Sequence, residues 1–314
     1  MRDRSVGGAG VSVRNASDRI GWRWEDMRMG KVLIIGDLHG NTEHALALLR
    51  EATARGCDRV FALGDFGAWE HVPSGRRYFD VVNKAARRVD LTVYFLDGNH
   101  DKSSLVHELY GEKLDDEGFL RCRSNLRYAP RGHRWTWADT RFAAFGGAYS
   151  VDKQRRLQWE AQRAAKGERR RARGSRRVRH TAGTLWFPEE QMTDAELDAL
   201  LDADSSPVDV LFTHDKPRAA APDFDRKKHP DCLPNQDRIQ RAVETLRPAV
   251  LFHGHFHYRY TDHISLGDDE WTRVEGLAAD PDASPRPDYH RDDSWYVLPL
   301  PHARDSEETS RAAS

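Results

Sequence analysis

Cysteine is scarce in this chain: Cys57, Cys122 and Cys232 are the only three in 314 residues, and they are widely scattered. They lack the paired spacing of a structural zinc site and are too few for a disulfide framework, so a reducing, cytoplasmic setting is expected. No apolar stretch approaches the ~20 residues that cross a bilayer, so no membrane partner is expected. The first residues carry charges and Gly7, Gly8 and Gly10 where a secretion signal has an apolar core. Neither sign of charge is in excess. The 49 Lys plus Arg and 50 Asp plus Glu leave a net charge of −1, which argues against a uniformly basic nucleic-acid coat protein and against an acidic tail protein.

What is present is charge without imbalance and enough apolar material for a core. Charged residues make up 32%, above the roughly 25% of ordinary globular chains, while 39% are hydrophobic and nine are Trp. A globular centre with long polar excursions follows. Residues 1–29 have no sustained apolar period and read as a flexible leader, with Met27 and Met29 as alternative starts directly before the first apolar run. Residues 301–314 read as a frayed, disordered tail.

Between these ends the pattern sharpens. Short apolar runs occupy residues 31–37 (KVLIIGD), 59–65 (RVFALGD), 91–97 (LTVYFLD), 141–148 (RFAAFGGA), 208–213 (VDVLFT) and 249–253 (AVLFH). Continuous apolar runs bounded by Gly suit strands buried on both faces. Helical periodicity lies between them at 42–55, 76–89, 193–201 and 235–246. Thr193 precedes Glu196 by three residues, which spells a capping box. Alternation of strand and helix predicts an α/β fold. The late segments 258–265, 270–277 and 294–300 have no helical pattern between them and read as an antiparallel tail.

Polar residues follow these runs: Asp37-Leu38-His39-Gly40, Gly64-Asp65, Gly98-Asn99-His100-Asp101, Thr213-His214-Asp215 and Gly254-His255-Phe256-His257. In open α/β sheets, ligands bind beyond the carboxyl ends of the strands. Asp37 and His39 are two apart, as are His255 and His257, and alternate residues of an extended chain share a side. Mixed carboxylate and imidazole donors suit borderline divalent cations such as Mn2+, Fe2+ or Zn2+. No thiolate is placed to join them. His253 precedes the Gly of its block and is expected to pack rather than to bind metal. Asp215 is expected behind His214 or as a cap. Trp135, Trp137, Trp159 and Trp186 are expected to pack in the core or a lid.

Taken in order, the blocks D-x-H, G-D, G-N-H-D, H and G-H-x-H resemble those of the calcineurin-like metallophosphoesterase superfamily, over residues 31 to about 260. Residues 147–153 and 186–190 look like segments of its small bacterial and phage members. The resemblance implies a four-layer α/β/β/α sandwich with mixed sheets as the domain at 30–300. It implies hydrolysis of a phosphomonoester or phosphodiester at two divalent metal ions, Mn2+ foremost, with Fe2+, Zn2+ or Mg2+ as the other choices. Asp37, His39 and His257 would hold the first metal. Asn99, His214 and His255 would hold the second, and Asp65 would bridge both. A water shared by the metals would be the nucleophile. His100, protonated, would serve the leaving oxygen, with Asp101 as its orienting carboxylate.

Protein Ser/Thr phosphatases carry a further Asp and an Arg after the second block and end the third in Glu. Here the chain reads Phe66-Gly67-Ala68-Trp69 and Asp101, which points away from a phosphoprotein substrate. A nuclease or cyclic-nucleotide phosphodiesterase of the same superfamily, and a non-catalytic scaffold on this fold, are the rival readings. One segment stands apart. Residues 153–179 hold twelve Lys or Arg against two Glu, leaving the rest of the chain at −11. Residues 153–180 therefore read as a basic insertion, helical up to Gly167, then exposed and removable from 158 to 180. Nucleic acid is a possible partner for it through its charge. It is not the favoured one, since such runs are usually solvated surface.

Overall fold

From the first strand, β1 (Gly30–Ile35), Leu33 and Ile35 point one way and Val32 and Ile34 the other, and all four are buried. This alternation explains why the apolar runs are continuous: each strand has a packed neighbour on both faces. Leu33 and Ile35 join Val60, Ala62, Val93 and Phe95 under helices α1 (Thr42–Ala54) and α2 (Pro73–Arg88). Val32 and Ile34 join Phe61, Leu63 and Leu96 against Phe142, Phe212 and Phe252 of a second sheet. That sheet's other face, with Ala143, Leu211 and Leu251, is covered by Leu197 of α5 (Asp194–Ala203) and by Ile239, Ala242, Val243 and Leu246 of α6 (Leu233–Leu246). Helices, sheet, sheet and helices thus stack as four layers around three apolar seams.

The computed structural model describes residues 30–172, 185–222, 229–283 and 289–300, with the side chains of 167–172 excepted. The expected leader, the expected tail and residues 173–180 of the basic segment lie outside them. The remaining elements are β2 (Arg59–Ala62), β3 (Thr92–Phe95), α3 (Ser103–Tyr110), β4 (Leu120–Arg123), β5 (Leu126–Tyr128), β6 (Arg134–Trp137), β7 (Thr140–Phe145), α4 (Lys153–Ala172), β8 (Val210–Thr213), β9 (Val250–His253), β10 (Tyr260–Gly267), β11 (Glu270–Gly276) and β12 (Trp295–Leu300).

The first sheet has the order β12-β1-β2-β3-β5-β4 and the second β10-β11-β9-β8-β7-β6. Each has four parallel strands inside and one antiparallel strand on each edge. The expected antiparallel tail is therefore corrected. Of its three strands, β10 and β11 form a hairpin, and β11 lies parallel to β9. The last strand, β12, crosses to the other sheet and pairs with β1. The capping box expected at Thr193 and Glu196 is present at the start of α5. The basic helix α4 runs past Gly167 to Ala172. No helix among the described residues is long and apolar enough to cross a membrane.

Candidate metal centre

The parallel strands of both sheets deliver their polar endings to one place. The strand ends crowd so closely there that only glycine fits at Gly98, within the first sheet, and at Gly254, where the second sheet meets the first. A Cβ on Gly98 would sit 2.1 Å from Asp65 Oδ1, and one on Gly254 would sit 2.1 Å from Asp37 Oδ1. Past β1 and β9 the chain is not extended. His39, Asp65, His255 and His257 have φ of 45°, 44°, 63° and 62°, in the left-handed region that costs energy for residues with a Cβ. The shared side of Asp37 with His39, and of His255 with His257, thus comes from tight turns rather than from strand alternation. Left-handed backbone at four of the expected site residues marks where packing is spent to hold geometry.

Two groups of donors result. Donor atoms of Asp37, His39, Asp65 and His257 all lie within 4.8 Å of one another. His257 Nε2 is 3.0 Å from Asp37 Oδ2, and His39 Nε2 is 3.4 Å from Asp65 Oδ2. On the other side, His214 Nε2 is 3.5 Å from Asp65 Oδ1 and 3.1 Å from Asn99 Oδ1. The rings of His214 and His255 are 5.0 Å apart, and the His255 backbone N–H donates to Asp37 Oδ1 at 2.9 Å. All seven expected ligands therefore converge, and Asp65 lies between the two groups.

The arrangement fits cations. Asp37 Oδ2 and Asp65 Oδ2 are buried and receive no well-directed hydrogen bond among the described residues. Imidazole nitrogens face them instead. Burial alone would disfavour every charge here, yet the facing groups outweigh it. Asp65 is held well below the usual carboxylate range by His100, His214 and His39, and Asp37 is lowered by His257 and His214. Asp280, Asp65 and Asp37 raise His39 to about 10, and Asp65 and Asp37 raise His214 to about 9. Positive charge is thus favoured between the carboxylates. A metal needs the same nitrogens deprotonated and supplies that charge itself.

Four of the seven expected ligands are oriented from behind, as metal-binding groups usually are. His39 Nδ1 is 2.8 Å from Asp280 Oδ2, His214 Nδ1 is 2.7 Å from the Leu63 carbonyl, and His257 Nδ1 is 3.0 Å from that of Ala283. The Asn99 side-chain amide donates to Ser150 Oγ at 2.8 Å, which leaves its Oδ1 toward His214. Sequence reasoning missed Asp280 and Ser150. Asp280 sits in an Ala-Ala-Asp-Pro loop with no motif, tied back by its N–H to the Asp37 carbonyl.

One expected role changes. Asp101 does not touch the His100 ring. It accepts from the backbone N–H groups of Phe66, Gly67, Ala68 and Gly98 at 2.7–3.0 Å, so it clamps the loop after β2 to the loop after β3. Burial and Asp65 push its carboxyl up to about 6 against the pull of those amides. His100 does face the site, with Nε2 3.8 Å from Asp65 Oδ2. Burial, with Arg156 and His39 adding to it, pushes His100 down to about 3 despite Asp65.

Neighbouring residues fall into supporting places. His253 is buried, bonded to Tyr260 Oη at 2.6 Å, and holds no place among the donors. Asp215 accepts from Asn235 and from the Lys216 backbone rather than standing behind His214. Trp135 and Trp137 pack in the seam between the sheets, while Trp159 is exposed on α4.

Comparison with known proteins agrees with the block pattern. The family described as calcineurin-like phosphoesterase matches residues 30–259. No curated protein matches the chain. Among solved structures, TT1561 of Thermus thermophilus is similar at 14% identity, covering 79% of this chain and 89% of that one, with a TM-score of 0.41. A dimetal phosphatase from Danio rerio is similar at 15% identity, covering 81% and 88%, with a TM-score of 0.46.

Proposed function

The chain belongs to the calcineurin-like phosphoesterase family, and from that premise we propose that it hydrolyses a phosphomonoester or phosphodiester using two divalent cations. Mn2+ is the first choice of metal, and the hydrolase domain is taken as residues 30–300. Asp37, His39 and His257 would hold one cation and Asn99, His214 and His255 the other. The observation that carries this reading is Asp65. Its two carboxylate oxygens face opposite groups, Oδ2 toward His39 at 3.4 Å and Oδ1 toward His214 at 3.5 Å. One carboxylate so placed suits a bridge. When bound, paired cations neutralise the charge of the phosphoester and acidify the attacking water.

The chain's own residues prepare the rest. The Asp101 clamp joins the loop carrying Asp65 to the loop carrying Asn99 and His100, so the bridge and the second group keep their spacing. Asp280 turns the His39 ring, and Ser150 turns the Asn99 amide. His100, facing Asp65 at 3.8 Å, would serve the leaving oxygen of the ester. The reading is tested with p-nitrophenyl phosphate and bis-p-nitrophenyl phosphate, each with Mn2+, Mg2+, Fe2+ or Zn2+. Hydrolysis that needs metal and stops on chelation supports it. Protein carrying two metals per chain that hydrolyses neither ester overturns it.

A further inference from the structure

The basic helix α4 begins inside the site. Arg156, in its first turn, is held on two sides. Its Nε donates to Asp152 Oδ1 at 2.7 Å and its Nη1 to the Leu185 carbonyl at 3.0 Å. The remaining nitrogen, Nη2, lies 3.1 Å from His100 Nε2. That same ring nitrogen is 3.8 Å from Asp65 Oδ2. The guanidinium therefore stands one side chain away from the carboxylate between the two donor groups.

We propose that Arg156 binds the phosphoryl group of the substrate and favours a terminal, dianionic phosphate, as in a monoester. A guanidinium has donors only, so its present contact makes His100 Nε2 an acceptor. A single ring nitrogen is a weak partner for that charge. An anionic phosphoryl oxygen is a stronger one, since hydrogen bonds between charged groups are about twice as strong as neutral ones. The exchange needs little ordering, because Asp152 and Leu185 already fix the fork. Asp152 balances the guanidinium charge through its 2.7 Å contact with Nε. A diester carries one negative charge where a monoester carries two, so it gains less from the same contact. This inference rests on the phosphoesterase reading given above, and it gives the start of the basic segment, ahead of the part expected to be removable, a place in the substrate site.

The test uses metal-loaded full-length protein with Arg156→Gln and Arg156→Lys at matched metal content. Binding of inorganic phosphate is measured by equilibrium dialysis and needs no turnover. Arg156→Gln is expected to weaken it about tenfold or more, the size of a lost charged hydrogen bond, and Arg156→Lys is expected to weaken it less. The KM of p-nitrophenyl phosphate should rise in step, with kcat and the constants for bis-p-nitrophenyl phosphate moving by no more than about threefold, as for lost ground-state binding. Phosphate binding unchanged in Arg156→Gln, or absent in the wild type, overturns the proposal. So does an equal kcat loss on both esters at constant KM, which makes Arg156 a positioning residue for His100. Phosphate binding that depends on Arg156 in a protein that hydrolyses no ester upholds the contact and defeats the activity reading alone.

Discussion

Asp280 Oδ2 stands 2.8 Å from His39 Nδ1, across 241 positions of sequence. The same carboxylate takes the Asn41 side chain through Oδ1 at 3.2 Å, so it links the loop before β12 to the start of α1. An imidazole whose Nδ1–H is held this way presents Nε2 to a metal in one orientation and as a better donor. Asp280→Asn keeps the shape and removes the charge. It should weaken one of the two metal sites about 10–100-fold, with activity recovered at excess metal. Titration of metal-free protein followed by metal analysis checks this, and unchanged affinity for both metals would remove Asp280 from the centre.

Asp65 should behave differently, because it faces both groups. Asp65→Asn is expected to lower occupancy of both metals and to reduce turnover to near background. Two metals per chain by elemental analysis, together with wild-type rates, would contradict the bridge. The contrast with Asp280→Asn, where one metal is affected, separates a shared ligand from a residue that orients a single one.

The donor groups were legible because each follows a buried apolar run, and such runs end where parallel strands present their carboxyl ends. Residues that reach the centre from elsewhere were not. Arg156 lies in a charge run that reads as solvated surface, and Asp280 lies in a loop with no periodicity. The short strands β4 (LRCR) and β5 (LRY) escaped because buried and exposed positions alternate over only three or four residues, too few for a period. In β6 the expectation that Trp135 and Trp137 pack in the core was right, while the strand that carries them went unread. The left-handed turns at His39, His255 and His257 were not legible, since His, though enriched at positive φ, adopts it too seldom for the residue type alone to mark a turn.

Stability should fall as the pH drops below neutrality. Burial pushes His133 down to about 4, against the pull of Asp115 and the Glu117 backbone. Its ring stacks on Trp135 at 5.3 Å and meets the Phe119 edge at 4.3 Å. The unfolded chain, with His near 6.5, binds the proton first, so stability is lost between pH 6.5 and 4 as pH falls. The loss attributable to His133 is at most about 3 kcal/mol, from about 1.4 kcal/mol per pKa unit. His133→Phe keeps an aromatic ring and cannot titrate. Urea unfolding at pH 7.5 and pH 5 should show a smaller drop in the variant than in the wild type. Equal drops would place the pH sensitivity elsewhere.

Glu160 decides whether residues 158–180 can be removed. It is buried, and its Oε1 accepts from the backbone N–H groups of Leu185 at 2.7 Å and Trp186 at 3.1 Å. The Leu185 carbonyl in turn holds Arg156. A deletion beginning at Gln158 takes Glu160 with it, leaves two N–H groups without their acceptor and frees one side of the guanidinium. Each unsatisfied buried group costs about 1–3 kcal/mol. Glu160→Ala should therefore lower stability by a few kcal/mol and raise the KM for p-nitrophenyl phosphate in the same direction as Arg156→Gln, by a smaller factor. Acting through one chain of contacts, the two changes should not add. The double variant is expected to have the KM of Arg156→Gln alone, as residues in one network do. A KM that multiplies in the double variant would show that Glu160 supports the helix without positioning Arg156.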